Sequence, residues 1–203
     1  MFVRYSLRTT DVASARTFYQ RALGLALPEG ASPSTSLEAW PLHELARSRG
    51  APAHWLGHLA VDDLEHALGE LMALGAETLG PTVRAPSGAA WAAIRDPLGA
   101  VLALRARGDA PPDRPIAWHQ LHTTDLDRAW PLYARLAGWR DAGRIEAIDP
   151  QGGHQLFTWT DAPAGSIAPR PSAIAARRVD CTMVSSRRAR LGPGLGLSCC
   201  QTA

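Results

Sequence analysis

Apolar residues recur along this chain with two periods, and the change from one to the other happens three times in the same way. An extended stretch comes first, at Val3 to Thr9, Trp55 to Val61 and Ala117 to Thr123, and an Asp follows it. Apolar residues then fall at steps of three and four until a Gly ends the run. The spans from Asp11 to Gly24, Asp63 to Gly75 and Asp125 to Gly138 are 13, 12 and 13 residues. The Asp predicts a helix N-cap, because its side chain accepts hydrogen bonds from the free N–H groups of the first turn. The Gly predicts the stop, because a left-handed cap is cheap only for Gly. A unit of strand, capped helix and Gly stop used three times implies a fold built by duplication.

Each of these helices has one apolar face. Val12, Ala15, Phe18, Tyr19, Ala22 and Leu23 form the first; Leu64, Ala67, Leu68, Leu71 and Met72 form the second. Leu126, Ala129, Trp130, Leu132, Tyr133 and Leu136 form the third. In the first strand, alternation sends Tyr5 and Leu7 to one side and Arg4, Ser6 and Arg8 to the other. The apolar side is expected under the helix and the polar side in a cleft. Pro150-Gln151-Gly152-Gly153 reads as a tight turn between strands near 142–148 and 154–160.

Composition changes this picture only at the C-terminal end. With 203 residues, 46% hydrophobic and 20% charged, the chain fits one or two soluble domains. It shows no signal-like segment and no apolar run of membrane length, so a cytoplasmic location is expected. All basic residues are Arg. Residues 166–203 hold six Arg against one acid, and the remainder fifteen Arg against eighteen acids. The mild basicity therefore belongs to the tail, which lacks interleaved aromatics and predicts no nucleic-acid partner. Cys181, Cys199 and Cys200 have neither metal-site nor disulfide spacing. The helical periodicity stops near Ile167, and the tail is expected to be aberrant and without order, as if a frame change or truncation had replaced a fourth unit.

Several segments together resemble the glyoxalase / bleomycin-resistance / extradiol-dioxygenase superfamily, the vicinal oxygen chelate proteins. They are Arg4-Tyr5-Ser6-Leu7-Arg8-Thr9-Thr10-Asp11 with Phe18 to Leu25, His54 to Asp63, Asp96-Pro97-Leu98-Gly99, and Trp118 to Asp125 with Leu136 to Trp139. The resemblance implies an α+β chain of βαβββ modules forming half-open barrels, with helices at about 12–23, 63–74 and 126–137. It implies a complete domain at 1–107, the first module of an incomplete second domain at 115–165, and the tail at 166–203. Sheet edges exposed by the missing quarter would invite a homodimer.

Metal-dependent members hold a divalent ion with His and Glu on facing strands. The resemblance puts the ligand that opens a module seven residues before the Asp, at Arg4, Leu56 and Trp118, and a closing ligand at Ala103. None of these side chains offers a lone pair suited to such a cation. No metal and no other cofactor is therefore expected. His58 and His122 have the parity of Leu56 and Trp118, with Gln120 between Trp118 and His122. His119 has the opposite parity and is expected under the third helix. His43, His54, His66 and His154 carry no recognisable spacing. No phosphate-binding loop follows a strand and no nucleophile motif is present. Asp62-Asp63 is read as structure, with Asp63 as the cap.

The expected ligand pocket is Arg4, Ser6, Arg8, Leu56, His58, Ala103, Trp118, Gln120 and His122, with Trp91 and Trp159 as further aromatic surface. Arg4 and Arg8 leave two roles open, ligand contact or ion pairing with acids at a contact surface. The expected function is metal-independent binding of a small molecule, such as sequestration of an antibiotic or metabolite, with no membrane partner. One alternative is a lyase, isomerase or dioxygenase using a divalent metal. The other is a structural relic.

Overall fold

Each switch of period marks the end of a strand and the start of a helix. Strand β1 (Phe2–Thr9) leads to α1 (Val12–Leu23), β3 (His54–Val61) to α3 (Leu64–Ala73), and β8 (Ile116–Thr123) to α4 (Leu126–Ala137). The computed structural model describes residues 1–28, 36–84, 89–108, 116–146, 153–159 and 164–169, together with the backbone of 181–185 and 197–199. The caps are as expected. The carboxylates of Asp11, Asp63 and Asp125 accept the N–H groups of Ser14, His66 and Arg128 at 2.9, 2.9 and 3.0 Å. Gly24 and Gly138 end their helices at φ 64° and 63°, in the left-handed region that penalises a Cβ.

Two sheets result. In the first, β2 (Leu37–Pro41) lies parallel to β1, β3 antiparallel to β1, and β7 (Val101–Ala106) parallel to β3. Strand β6 (Ala90–Arg95) is antiparallel to β7 and pairs with the short β4 (Glu77–Thr78) and β5 (Val83–Arg84). In the second, β11 (Gly165–Pro169) returns parallel to β8, with β10 (His154–Thr158) and β9 (Arg140–Ile145) beyond it. The β9–β10 hairpin expected from the turn is present, and turn residues 150–152 lie outside the described residues.

The second and third units follow one path: strand, helix, two antiparallel strands, and a closing strand parallel to the first. The first unit keeps this path in shortened form. Among the described residues only β2 and a short helix, α2 (Glu44–Ser48), lie between α1 and β3. The segment from Gly24 to Ala53 contains neither Val nor Ile, so it is poor in strand formers. The third unit closes at Pro169, beyond the expected boundary at 165. The backbone of β12 (Cys181–Ser185) pairs antiparallel with β8, and β13 (Leu197–Cys199) with β12. Among the described residues no helix is long and apolar enough to cross a membrane.

The helix-side faces of the two sheets meet in a shared core. One cluster joins Leu59, Leu71, Ile94 and Leu104 of the first sheet and its helix to Tyr133, Phe157 and Ile167 of the second. A smaller cluster packs Tyr5, Leu7, Leu37 and Trp55 under α1. Polar groups cross the junction too. Tyr133 O–H donates to the buried Asp96 at 2.7 Å, while burial pushes the Asp96 carboxyl up against the pull of that bond. Gly165 permits the close approach of β11 to β8, since a Cβ there would lie 2.1 Å from the His119 carbonyl oxygen.

His119 sits at this junction, buried as its parity predicted. Its Nε2 accepts from Tyr5 O–H, Nδ1–H donates to the Ala164 carbonyl at 3.3 Å, and Phe2 stacks on the ring at 4.9 Å. Burial lowers its pKa to about 4, below the ordinary 6.5. Between those values the unfolded chain takes up a proton that the folded chain refuses. The stability from neutral His119 is therefore complete above pH 6.5 and is lost as pH falls toward 4, a change on the order of 3 kcal/mol. His58 acts in the same direction. Urea midpoints should fall as pH is lowered through this window, and the His119→Phe variant should show a shallower slope. Equal slopes would remove His119 from the account.

Candidate functional site

The face of the first sheet turned away from the core carries the polar half of the alternation. Register puts Arg4 opposite His58, Ser6 opposite Leu56 and Arg8 opposite His54 across β1 and β3. On the other side of β1, Ser6 faces Glu38 and Arg8 faces Trp40. Ala103 lies beside His58, and Trp91 lies beside Arg105. This floor divides into a buried polar knot and an adjoining cavity.

In the knot, Arg4 Nη1 donates to Glu38 Oε2 at 2.9 Å and Ser6 Oγ–H donates to Glu38 Oε1 at 2.5 Å. Ser6 has one proton and gives it to the carboxylate, so His58 Nε2–H must donate to Ser6 Oγ, 2.8 Å away. That tautomer leaves a bare lone pair on His58 Nδ1, which is buried and without a partner among the described residues. Burial, reinforced by the positive charges of Arg105, Arg8 and Arg4, holds the His58 pKa well below its ordinary value. The ring is neutral.

The cavity beside the knot has a volume of about 220 Å³. Arg8, His54, Leu56, Trp91 and Ala93 form its floor, and Leu45, Ala46 and Arg49 of the α2 segment its wall. The Arg8 guanidinium lies between two indoles, 5.6 Å from the Trp40 ring and 5.4 Å from that of Trp91. Burial lowers its pKa and the charge of Glu38 opposes that shift. Burial likewise lowers His54, as does the nearby Arg8, against a bond to the Pro52 carbonyl. Among the described residues, three arginines and no acid line the cavity. Trp40 Nε1–H is buried without an acceptor among the described residues.

Six of the expected pocket residues share this face: Arg4, Ser6, Arg8, Leu56, His58 and Ala103. Trp118, Gln120 and His122 do not join them. They alternate on β8 with His119 and Leu121, whose side chains enter the shared core, so they belong to the outer face of the second sheet. A helix layer and two sheets separate the two groups. Of the two roles open to the arginines, Arg4 takes ion pairing, within its own sheet. Arg8 forms no ion pair among the described residues. His54, expected at the surface, lines the cavity. Trp159 packs on His119 where the two sheets meet and is not cleft surface. The sequence reading missed Glu38 and Trp40. The closing strand of the second unit is marked by Asp96-Pro97-Leu98-Gly99, but the shortened first unit has no such turn to set the register of β2.

A divalent ion would find Glu38 and His58 here, but both carboxylate oxygens are engaged by Arg4 and Ser6. No group of three or more His, Cys, Asp or Glu converges among the described residues. A lone His–Glu pair with a guanidinium on the carboxylate falls short of the donor set such ions need. The residues present do not fit a metal.

Comparison with known proteins agrees with the fold. The Glyoxalase/Bleomycin resistance protein/Dioxygenase superfamily model matches residues 2–104. The chain therefore belongs to that superfamily. Among solved structures it resembles BphC, a halotolerant catechol dioxygenase, at 17% identity and TM-score 0.53, covering 83% of this chain and 64% of that one. It also resembles the Mn(II)-bound glyoxalase from Novosphingobium aromaticivorans, at 15% identity and TM-score 0.56, covering 84% and 62%. Homoprotocatechuate 2,3-dioxygenase from Arthrobacter globiformis is similar at 15% identity and TM-score 0.57, covering 83% and 59%. The chain thus spans about three-fifths of the length of these structures. A search of curated protein sequences gives no match.

The Arg4–Glu38 pair is buried, with side chains 11% and 4% exposed, whereas Arg95–Glu77 is open at 34% and 65%. Glu38→Gln leaves a buried guanidinium without its counter-charge and should cost about 3–5 kcal/mol. Glu77→Gln should cost less than about 1 kcal/mol. Urea denaturation of the two variants checks the contrast, and equal losses would show that the knot carries no special share of stability.

Proposed function

We propose that this chain binds a planar, anionic small molecule in the first-sheet cleft without a metal, sequestering it rather than transforming it. One observation carries the reading. Arg8 is held between Trp40 and Trp91 at the edge of a cavity that, among the described residues, is lined by arginines and no acid. Stacking covers the two faces of a guanidinium and leaves its rim of N–H donors free for a carboxylate or similar group. Leu56, Ala93 and Trp91 offer the apolar surface for the rest of the ligand. We read the third unit as the start of a second domain of the same kind, and the cytoplasm as the place of action.

A lyase, isomerase or dioxygenase employing a divalent metal is the rival, and the names of the similar structures are its support. It is disfavoured by the donor chemistry of the cleft, where Arg4 already occupies the carboxylate of Glu38. Sequestration needs no reacting group.

Cinnamate, cinnamamide and acetate separate the components of this reading. Cinnamate should quench tryptophan emission saturably, and cinnamamide and acetate should bind much more weakly. Arg8→Gln should weaken cinnamate about tenfold or more, the loss of one charge-assisted contact. Equal binding of cinnamate and cinnamamide would refute the anionic class while leaving the cleft as a binding site. Saturable binding unchanged in Arg8→Gln would place the ligand elsewhere.

A further inference from the structure

We propose that the Arg4 guanidinium is a built-in cation around which Glu38, Ser6 and His58 are assembled, and that one exchange at position 4 turns the knot into a divalent-metal site. The argument starts from charge. Glu38 is 3% exposed, and a carboxylate so buried requires a positive partner. His58 is not that partner, because its Nε2 bonds Ser6 rather than the carboxylate. Arg8 lies near enough for its charge to be felt by Glu38, and so does Arg105. Neither forms an ion pair with it among the described residues. Arg4 does, at 2.9 Å.

Geometry completes the case. Arg4 stands directly across from His58, and Ser6 directly across from Glu38, so three adjacent strands deliver four side chains to one point. The contacts of 2.9, 2.5 and 2.8 Å among them show that they converge. Three of the four already carry oxygen or nitrogen donors. The fourth is a group with no lone pair, and it holds the place and the sign of a cation. A His at position 4 would add a nitrogen on the side facing His58 and free one carboxylate oxygen. Two imidazoles and a carboxylate are a sufficient protein donor set for Zn²⁺, Ni²⁺ or Mn²⁺. This inference rests on the knot and not on Arg8, so it stands or falls separately from the ligand reading.

The test is metal content after dialysis against Zn²⁺, Ni²⁺ or Mn²⁺ and removal of free ion. The wild-type protein should retain far less than one ion per chain and Arg4→His about one, as a three-ligand site would. The double variant Arg4→His with Glu38→Gln should return to the wild-type level. A full equivalent bound by the wild-type protein would overturn the proposal, because Arg4 would then not be the cation of the site. A folded Arg4→His that retains no metal would overturn it as well. If Arg4→His does not fold alone, refolding with and without Zn²⁺ decides: recovery of the folded circular dichroism only with metal supports the proposal, and no recovery refutes it. Thermal melts of Arg4→His with and without Mn²⁺ give a second readout. A rise in melting temperature absent from the wild-type protein is expected, and no rise counts against the idea.

Discussion

Strand β1 is the constraint on which the rest of the molecule depends. Its odd side chains, Tyr5 and Leu7, are sealed under α1, and its even ones, Arg4, Ser6 and Arg8, build the cleft. Because a strand repeats every two residues, a slip of one position against β3 would exchange these sets completely. Two arginines would enter an apolar core and a tyrosine and a leucine would face the cavity. The pairings of Tyr5 with Gly57 and Leu7 with Trp55 prevent that slip, and Trp55 adds a hydrogen bond from its N–H to Tyr19 of α1 at 2.9 Å. The cleft therefore inherits its precision from the core behind it.

The same alternation places two arginines four residues apart in opposite electrostatic situations. Arg4 is matched by a buried carboxylate and a hydroxyl, so its charge is spent within the protein. Among the described residues Arg8 meets two ring faces and the more distant charge of Glu38, without an ion pair. Glu38 decides the difference, because it stands across from Ser6, one step along β2 from where it could serve Arg8. Trp40, two residues further on the same strand, takes that position beside Arg8. A single short strand thus gives one arginine its ion pair and sets an indole beside the other.

Legibility in the sequence followed the range of the interaction. Helices and their ends were readable because Asp and Gly caps act within a few residues of themselves. The two faces of β1 were readable for a similar reason, since alternation is local. Glu38 and Trp40 were not readable, because their importance comes from parallel pairing with a strand more than thirty residues away. No turn motif marks the register of β2, and α2 covers the cavity where two more strands were expected. Where Trp118, Gln120 and His122 stand relative to the first cleft depends on pairing at a still longer range. Their parity was right, but parity says which side of a strand a residue takes and not which sheet that strand joins.

That separation bears on how the two halves divide their work. The helix-side faces of both sheets are buried against one another through Tyr133, Phe157, His119 and their neighbours. Both outer faces then point away from the junction, so the first cleft is furnished by its own sheet. The first is complete among the described residues, with its own cation pair, indoles and α2 wall. Contacts such as Tyr133 to Asp96 and Tyr5 to His119 link the halves through the core, and they bear on the cleft only by holding the strands that carry it. Changes at the junction should therefore act on the stability of the first cleft, whereas its lining is set by outward residues of β1, β3 and β6 and by the α2 segment.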